Sequence, residues 1–253
     1  MSQSPVFRNN HNLFSNYYLD ERVKQNDEWR EDEGLGEAFR EIKKLFQKRI
    51  KIFQNCSEAM LEDSLIRPIF RILDHHFGIQ ESVYRGAYRP DYSFFADPDS
   101  LAEAYDRRES DDFYLRAMAI GDAKAWNVSL DKTQKRVGGF NIQNPSYQID
   151  IYLRNTPPEW AILTNGGRWR LYHQDTSYRL DSYYEIDLLN LIERGSPEEF
   201  KYFYLFFRRE AFLPGRDGRS FLDRVKEGSV AYTRKVGDDL QENIYRAMKV
   251  LAE

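Results

Sequence analysis

The chain has one cysteine, Cys56, in 253 residues. No disulfide can form within it, and a reducing compartment fits. Its four histidines (His11, His75, His76 and His173) and that single thiol offer no zinc-ligand spacing. No apolar run is long enough to span a bilayer and the polar N-terminus is no secretory signal, so the cytoplasm is expected and a membrane partner is not. A Gly-rich phosphate loop of the Walker or Rossmann type is missing, as are a Gly-x-Ser-x-Gly elbow and a credible Cys–His nucleophile pair. An excess of positive charge is missing too. Lys and Arg number 37 against 41 Asp and Glu, a net charge of −4. Bulk attraction to nucleic acid is therefore not implied, and any such surface must be a local patch. There is no internal repeat.

Hydrophobic residues at 41% and aromatics at 15% can fill a substantial core, enough for one large domain or two small ones. Residues 1–35 are polar (Asn9-Asn10, Glu31-Asp32-Glu33) and read as a partly ordered arm with one short helix. Phe39, Ile42, Leu45, Phe46, Ile50 and Phe53 then repeat at helical spacing. A second helix begins near Ser57 with the stripe Leu61, Leu65, Ile69, Phe70 and Leu73, a kink at Pro68 and a stop at Gly78. Strands are predicted at Val83–Arg85, Tyr92–Phe95 and Phe113–Ala125. Between the last two, residues 97–112 carry seven acids and read as a solvated connection. Asn144-Pro145 starts a helix bearing Tyr147, Gln148, Ile151 and Tyr152. Asn165-Gly166 marks a β-hairpin, and Tyr178–Ile186 a further strand. Ser196-Pro197-Glu198-Glu199 opens an aromatic-rich helix, and a last helix covers Gly228 to Ala252. That helix stops without a cap, which suggests a longer chain. The division is an arm (1–35), a core (36–186) and a helical extension (187–253) leading toward a further domain.

The chemistry concentrates between Asp91 and Lys124. Asp91 follows Pro90 at the entrance of an aromatic strand, and Asp122-Ala123-Lys124 ends an apolar run. Strand alternation puts Asp122 and Lys124 on one side, with the Ala123 carbonyl still available. Ionised carboxylates beside such residues are costly unless paired or bound to metal. Two carboxylates and a lysine together suit a hard divalent cation and an activated water. A surface ion pair between Asp122 and Lys124 is the plainer alternative. Other triplets of this form, Glu41-Ile42-Lys43 and Glu199-Phe200-Lys201, lie in helical patterns and read as solvated faces. Asp99, after Pro98, sits in a turn composition.

Pro-Asp followed by Asp-x-Lys at a strand end resembles the PD-(D/E)XK nuclease superfamily. Gln148 and Tyr152 match the Gln-xxx-Tyr pattern of its RecB-like branch. The stretch Trp160–Tyr172 is similar to the hairpin that follows the nuclease core in type I and type IIG restriction-modification enzymes. Together these cover residues 58–173. The resemblance implies an α/β (or α+β) fold, a restriction-endonuclease-like central mixed sheet over about 82–186. Helices at 37–76 and 145–154 would flank it, with a helical C-terminal region. It implies an Mg²⁺-dependent DNA endonuclease, with Mn²⁺ as a substitute. Asp91, Asp122 and the Ala123 carbonyl would hold the metal, Lys124 would orient the water, and Glu58 or Glu62, Glu58 first, would assist, with a solvent-facing helix acid as the equal alternative for either. Gln148 and Tyr152 would steady the lysine or meet the nucleic-acid backbone. Lys132, Lys135, Arg136, Arg168 and Arg170 are phosphate-contact candidates, with solvated charge as the equal alternative for each. The implied partners are double-stranded DNA, a methyltransferase or specificity module (on the same longer chain or a partner subunit), and a second copy for double-strand cleavage. The alternatives are a silent nuclease-like domain that binds DNA or a partner subunit, a bare scaffold domain that binds neither metal nor DNA, and a nuclease acting on RNA.

Overall fold

The computed structural model describes residues 7–30, 34–79, 89–108, 111–131, 134–135 and 142–252. Strand β1 (Arg8–His11) comes first, then a π-helical turn (Tyr18–Arg22), a 3-10 turn (Val23–Gln25) and α1 (Asp27–Arg30). The long helix α2 (Leu35–Phe53) follows. After it, α3 (Glu58–Leu61) runs through a π-helical turn (Glu62–Ile66) into α4 (Arg67–Ile72). Ser57 caps α3 by accepting from Met60 N–H. Next come β2 (His76–Ile79), β3 (Tyr92–Phe95), α5 (Pro98–Tyr105), a 3-10 segment (Asp111–Arg116) and β4 (Ala119–Ala123). The short pair β5 (Gln134–Lys135) and β6 (Ile142–Gln143) precedes α6 (Pro145–Asn155), which Asn144 caps. Strands β7 (Trp160–Thr164), β8 (Arg168–His173) and β9 (Tyr183–Asp187) lead to α7 (Leu188–Arg194), α8 (Pro197–Phe207) and α9 (Phe221–Ala252).

Seven strands form one sheet in the order β1-β9-β8-β7-β4-β3-β2. Every neighbouring pair is antiparallel except β4 and β7, which α6 links as a crossover. The fold is therefore mixed α/β. Side-chain alternation sends Tyr92, Phe94, Ala123, Ile162, Trp169 and Ile186 to one face, where α2, α4, α7 and α8 bury them. Phe95, Ile120, Leu163 and Tyr172 face the other way, against Ile149 and Leu153 of α6 and the 3-10 segment. A Cβ on Gly121 would stand 2.9 Å from the Phe94 ring, so glycine lets β3 aromatics close down on β4. Gly166 takes φ 82° in the β7–β8 turn, a conformation that costs glycine little. No helix among the described residues is long and apolar enough to cross a membrane.

Several elements differ from the sequence expectation. Residues 7–30 are not an arm. β1 pairs with β9, and Phe7, Leu13, Phe14, Leu19, Val23 and Trp29 enter the core. The second helix ends at Ile72, with Leu73 as its C-cap before Asp74 at φ 62°, and Gly78 lies inside β2. Within the acidic stretch Asp97 caps a helix, α5, by accepting from Ser100 N–H. Phe113–Arg116 is 3-10 rather than strand, and β4 starts only at Ala119. β9 starts at Tyr183 rather than Tyr178. The segment from 187 onward is no separate extension through α8, because Leu188, Leu191, Phe200, Phe203 and Phe207 are core residues shared with α2. The strand expected at Val83–Arg85 lies outside the described residues.

Candidate active site

β3 and β4 pair Tyr92 with Gly121. Carried one position outward, that register sets Asp91 opposite Asp122, and two positions outward Pro90 opposite Ala123. Asp122 follows Ile120 onto the α6 face by alternation. Directly opposed residues of an antiparallel pair bring their side chains within contact range, so β3 and β4 deliver two carboxylates to one spot at the end of the sheet. Lys124 lies on the same face, one residue past β4. Its ammonium contacts Asp122 Oδ2.

Main-chain bonds fix this arrangement. Lys124 N–H donates to Thr164 O at 2.8 Å, which turns Asp122 and Lys124 toward β7 and Ala123 toward β3. There Ala123 N–H donates to Asp91 Oδ2 at 2.8 Å. Pro90, lacking an N–H, cannot return the ladder bond that would otherwise occupy the Ala123 carbonyl. One residue further, Ala125 N–H donates to Glu58 Oε2 at 2.9 Å. Asp91 from β3 and Glu58 from the helical layer thus clip the backbone on either side of Lys124.

Glu62 is buried at 4% exposure, so it is not a solvent-facing helix acid. The Tyr92 hydroxyl donates to its Oε2 at 2.5 Å, and Arg67 Nη2 donates to the same oxygen at 3.3 Å. Burial raises the Glu62 carboxyl above the usual range; Tyr92 and Arg67 oppose that, while Asp91 and Glu58 add to it. Neither Tyr92 nor Arg67 stands out in the sequence as a site residue. Only the sheet end brings a β3 phenol to a carboxylate one helix away.

Asp122 is 2% exposed. Burial raises its carboxyl, Lys124 opposes, and the neighbouring Asp91 raises it further. Burial works against the Lys124 ammonium, but Asp122, then Asp91 and Glu58, outweigh it and hold the proton more tightly than usual. Tyr152 is buried on α6. Burial raises its hydroxyl, and the charges of Asp122 and Asp91 raise it more. Gln148, half-buried, stands one helical turn earlier. The structure therefore brings Asp91, Asp122 and Lys124 together at the end of the sheet, with Glu58 bonded to the backbone beside Lys124.

The basic candidates fare differently. Arg170 is no outward phosphate contact. It is 1% exposed, donates to Glu185 Oε2 at 2.5 Å and Asp131 Oδ1 at 2.7 Å, and lies 3.8 Å over the Tyr183 ring. α6 together with Leu130 and Asp131 covers the sheet face on which Arg170 and Tyr172 lie. Arg168 is exposed, with Glu185 at 3.7 Å. Lys132, Arg136 and the Lys135 side chain lie outside the described residues.

A hard divalent cation suits the donors at the sheet end, which are all oxygens: Asp91, Asp122 and the Ala123 carbonyl. Asp122 Oδ2 is buried without a hydrogen bond of ordinary geometry, so this oxygen is open to a cation once the ammonium is displaced. Two carboxylates are what magnesium commonly takes from a protein. Among the described residues, three ligand atoms within 4.8 Å of one another occur at Glu159, His173 and Asp223 instead. There Asp175 N–H donates to His173 Nδ1 at 3.1 Å. That bond leaves the ring proton on Nε2, facing the carboxylates, so the imidazole serves as a donor rather than a ligand. Compared with protein-family models, curated proteins and solved structures, the chain finds no match.

Proposed function

We propose that the chain is a divalent-metal-dependent nuclease of the PD-(D/E)XK type, RecB-like branch, which hydrolyses phosphodiesters in double-stranded DNA as the cleavage part of a restriction-modification system. The observation that carries this reading is the arrival of Asp91 and Asp122 at the same end of the β3–β4 ladder, where Asp91 Oδ2 accepts from Ala123 N–H and the Lys124 ammonium contacts Asp122. A salt bridge serving stability alone would not need a second carboxylate beside it, because that carboxylate raises the cost of burial.

Asp91, Asp122 and the Ala123 carbonyl would hold the cation, Mg²⁺ or Mn²⁺. When bound, it would polarise a phosphate oxygen and acidify a water. Lys124 would present its protonated ammonium to the attacking water and the charge developing on phosphorus. Asp91 and Glu58 hold the Ala123 and Ala125 N–H groups, fixing the backbone from which Lys124 projects. Glu62, held by Tyr92 and Arg67, would assist from the helical layer. Tyr152 and Gln148 would border the substrate backbone from α6.

Cleavage of supercoiled plasmid by the wild type, Asp122→Ala and Lys124→Ala, with and without Mg²⁺, tests this. The expected result is metal-dependent nicking or linearisation, lowered at least about 100-fold in each variant, the scale of losing one preorganised electrostatic group. Faster cutting of RNA would reassign the substrate. No cleavage together with no Mg²⁺ or Mn²⁺ binding by calorimetry would sink the enzyme reading and leave a binding module.

A further inference from the structure

We propose that Lys124 is the site's own counter-ion in the cation-free protein and competes with the metal for Asp122, moving toward Glu58 when a divalent cation binds. The inference rests on the nuclease reading above in one respect, that Asp91 and Asp122 hold the cation.

Asp122 is almost wholly buried, and Asp91 is its opposite neighbour. A carboxylate buried beside a second one calls for a positive charge next to it. Lys124 supplies it. Its side chain is 16% exposed, its ammonium contacts Asp122 Oδ2, and that oxygen has no ordinary hydrogen bond besides. A divalent cation between Asp91 and Asp122 would occupy the space the ammonium now neutralises and would repel it at close range. One of the two must leave. The lysine can, since its flexible four-carbon stem keeps the charge mobile.

Glu58 is where it can go. This carboxylate is anchored beside it, its Oε2 accepting from the N–H of Ala125, the residue after Lys124. It is exposed, so receiving the ammonium requires no further burial. Glu58 then has a role other than metal ligand: it holds the lysine in the metal-loaded state, one residue from the strand end where the attacking water would sit. Lys124 would thereby set metal affinity as well as serve the reaction.

Calorimetric titration with Mn²⁺ decides this on the full chain, using wild type, Lys124→Met, Asp122→Asn, Glu58→Gln and the double variant Glu58→Gln/Lys124→Met. Lys124→Met is expected to bind Mn²⁺ at least tenfold more tightly than wild type, and Asp122→Asn to lose binding. Glu58→Gln is expected to weaken binding in the wild-type background but not in Lys124→Met, since only a Lys124-mediated effect disappears with the lysine. Equal or weaker binding by Lys124→Met, with Asp122→Asn still abolishing it, overturns the competition and leaves the metal site intact. Weakening by Glu58→Gln in both backgrounds makes Glu58 a direct ligand and overturns its receiving role. Binding that is absent from the wild type, or unchanged in Asp122→Asn, removes the metal reading itself and this inference with it. Should Lys124→Met fail to fold, acetylation of Lys124 in the wild type, followed by peptide mass spectrometry, replaces it. Reactivity rising several-fold with saturating Mn²⁺ supports displacement, and unchanged or reduced reactivity overturns it.

Discussion

Pro90 matters for the group it lacks. At that position any other residue would carry an N–H opposite the Ala123 carbonyl, and the β3–β4 ladder would extend by one bond. Proline stops the ladder there and leaves the carbonyl oxygen to a cation. Pro90→Ala is accordingly expected to weaken Mn²⁺ binding by about 2- to 10-fold, the range of one net hydrogen bond, with the fold retained. Calorimetry beside circular dichroism checks it, and unchanged affinity would mean that the carbonyl is no ligand. The residues around this point were legible from sequence, because an aspartate at a strand entrance and an Asp-x-Lys at a strand end sit against apolar neighbours where a stray charge is costly. Arg170 was not legible. Its alternation in β8 is plain, but whether that face meets solvent depends on α6 and on Asp131, 39 residues earlier in the chain.

Among the elements, β1 is the least legible. Arg8-Asn9-Asn10-His11 has the composition of a loop, since asparagine is depleted in strands. What makes it a strand is its partner. Tyr183, Tyr184 and Ile186 of β9 would otherwise form the sheet edge, and β1 pairs along them from Arg8–Ile186 to His11–Tyr183. Flanking it, Phe7 and Leu13 are almost fully buried. Deleting residues 1–13 should therefore cost about 3–6 kcal/mol for those two side chains alone and leave a long unpaired edge that invites aggregation. Thermal unfolding and light scattering check this; an unchanged melting temperature would restore the reading of a loose arm. The opposite error occurred at Phe113–Arg116, where an apolar run reads as strand but is wound into a 3-10 segment that covers Phe95 and Ile120. Periodicity over so few residues does not separate the two. Short signals with a local chemical cause are legible all the same: the Asn144 cap of α6, the Asn165-Gly166 turn and the Ser196–Glu199 capping box stand in the structure where the sequence puts them.

Over the whole molecule, the aromatic run of α8 is what joins the C-terminal helices to the sheet. Phe203 and Phe207 pack on Trp169 of β8, and Phe200 packs on Phe39 of α2. A periodic aromatic face is visible in sequence, but the surface it covers is not. His75 ties the same helix to the corner between α4 and β2, with Nε2 donating to Phe207 O at 2.7 Å. Burial among Phe70, Phe94 and Phe212 lowers its pKa to about 4, with the Phe207 bond opposing, Arg209 and His76 adding to the fall, and Asp74 resisting it. An unfolded histidine protonates near 6.5, so between about pH 6.5 and 4 the unfolded chain binds the extra proton. The stability due to the neutral ring is complete above pH 6.5 and is lost as pH falls through about 4. At pH 4.5 the loss should reach about 2–3 kcal/mol. His173 shifts in the same direction but is common to wild type and variant, so the difference isolates His75. Denaturant unfolding of wild type and His75→Gln at pH 7 and 4.5 should show the wild-type advantage shrinking by that amount. Because α8 and the sheet share one core, tryptophan fluorescence, which includes Trp160 and Trp169 of the sheet, and circular dichroism from the helices should report the same midpoint at each pH. A pH-independent difference would mean that His75 is not held neutral. Two separate midpoints would mean that the C-terminal helices fold as a unit of their own.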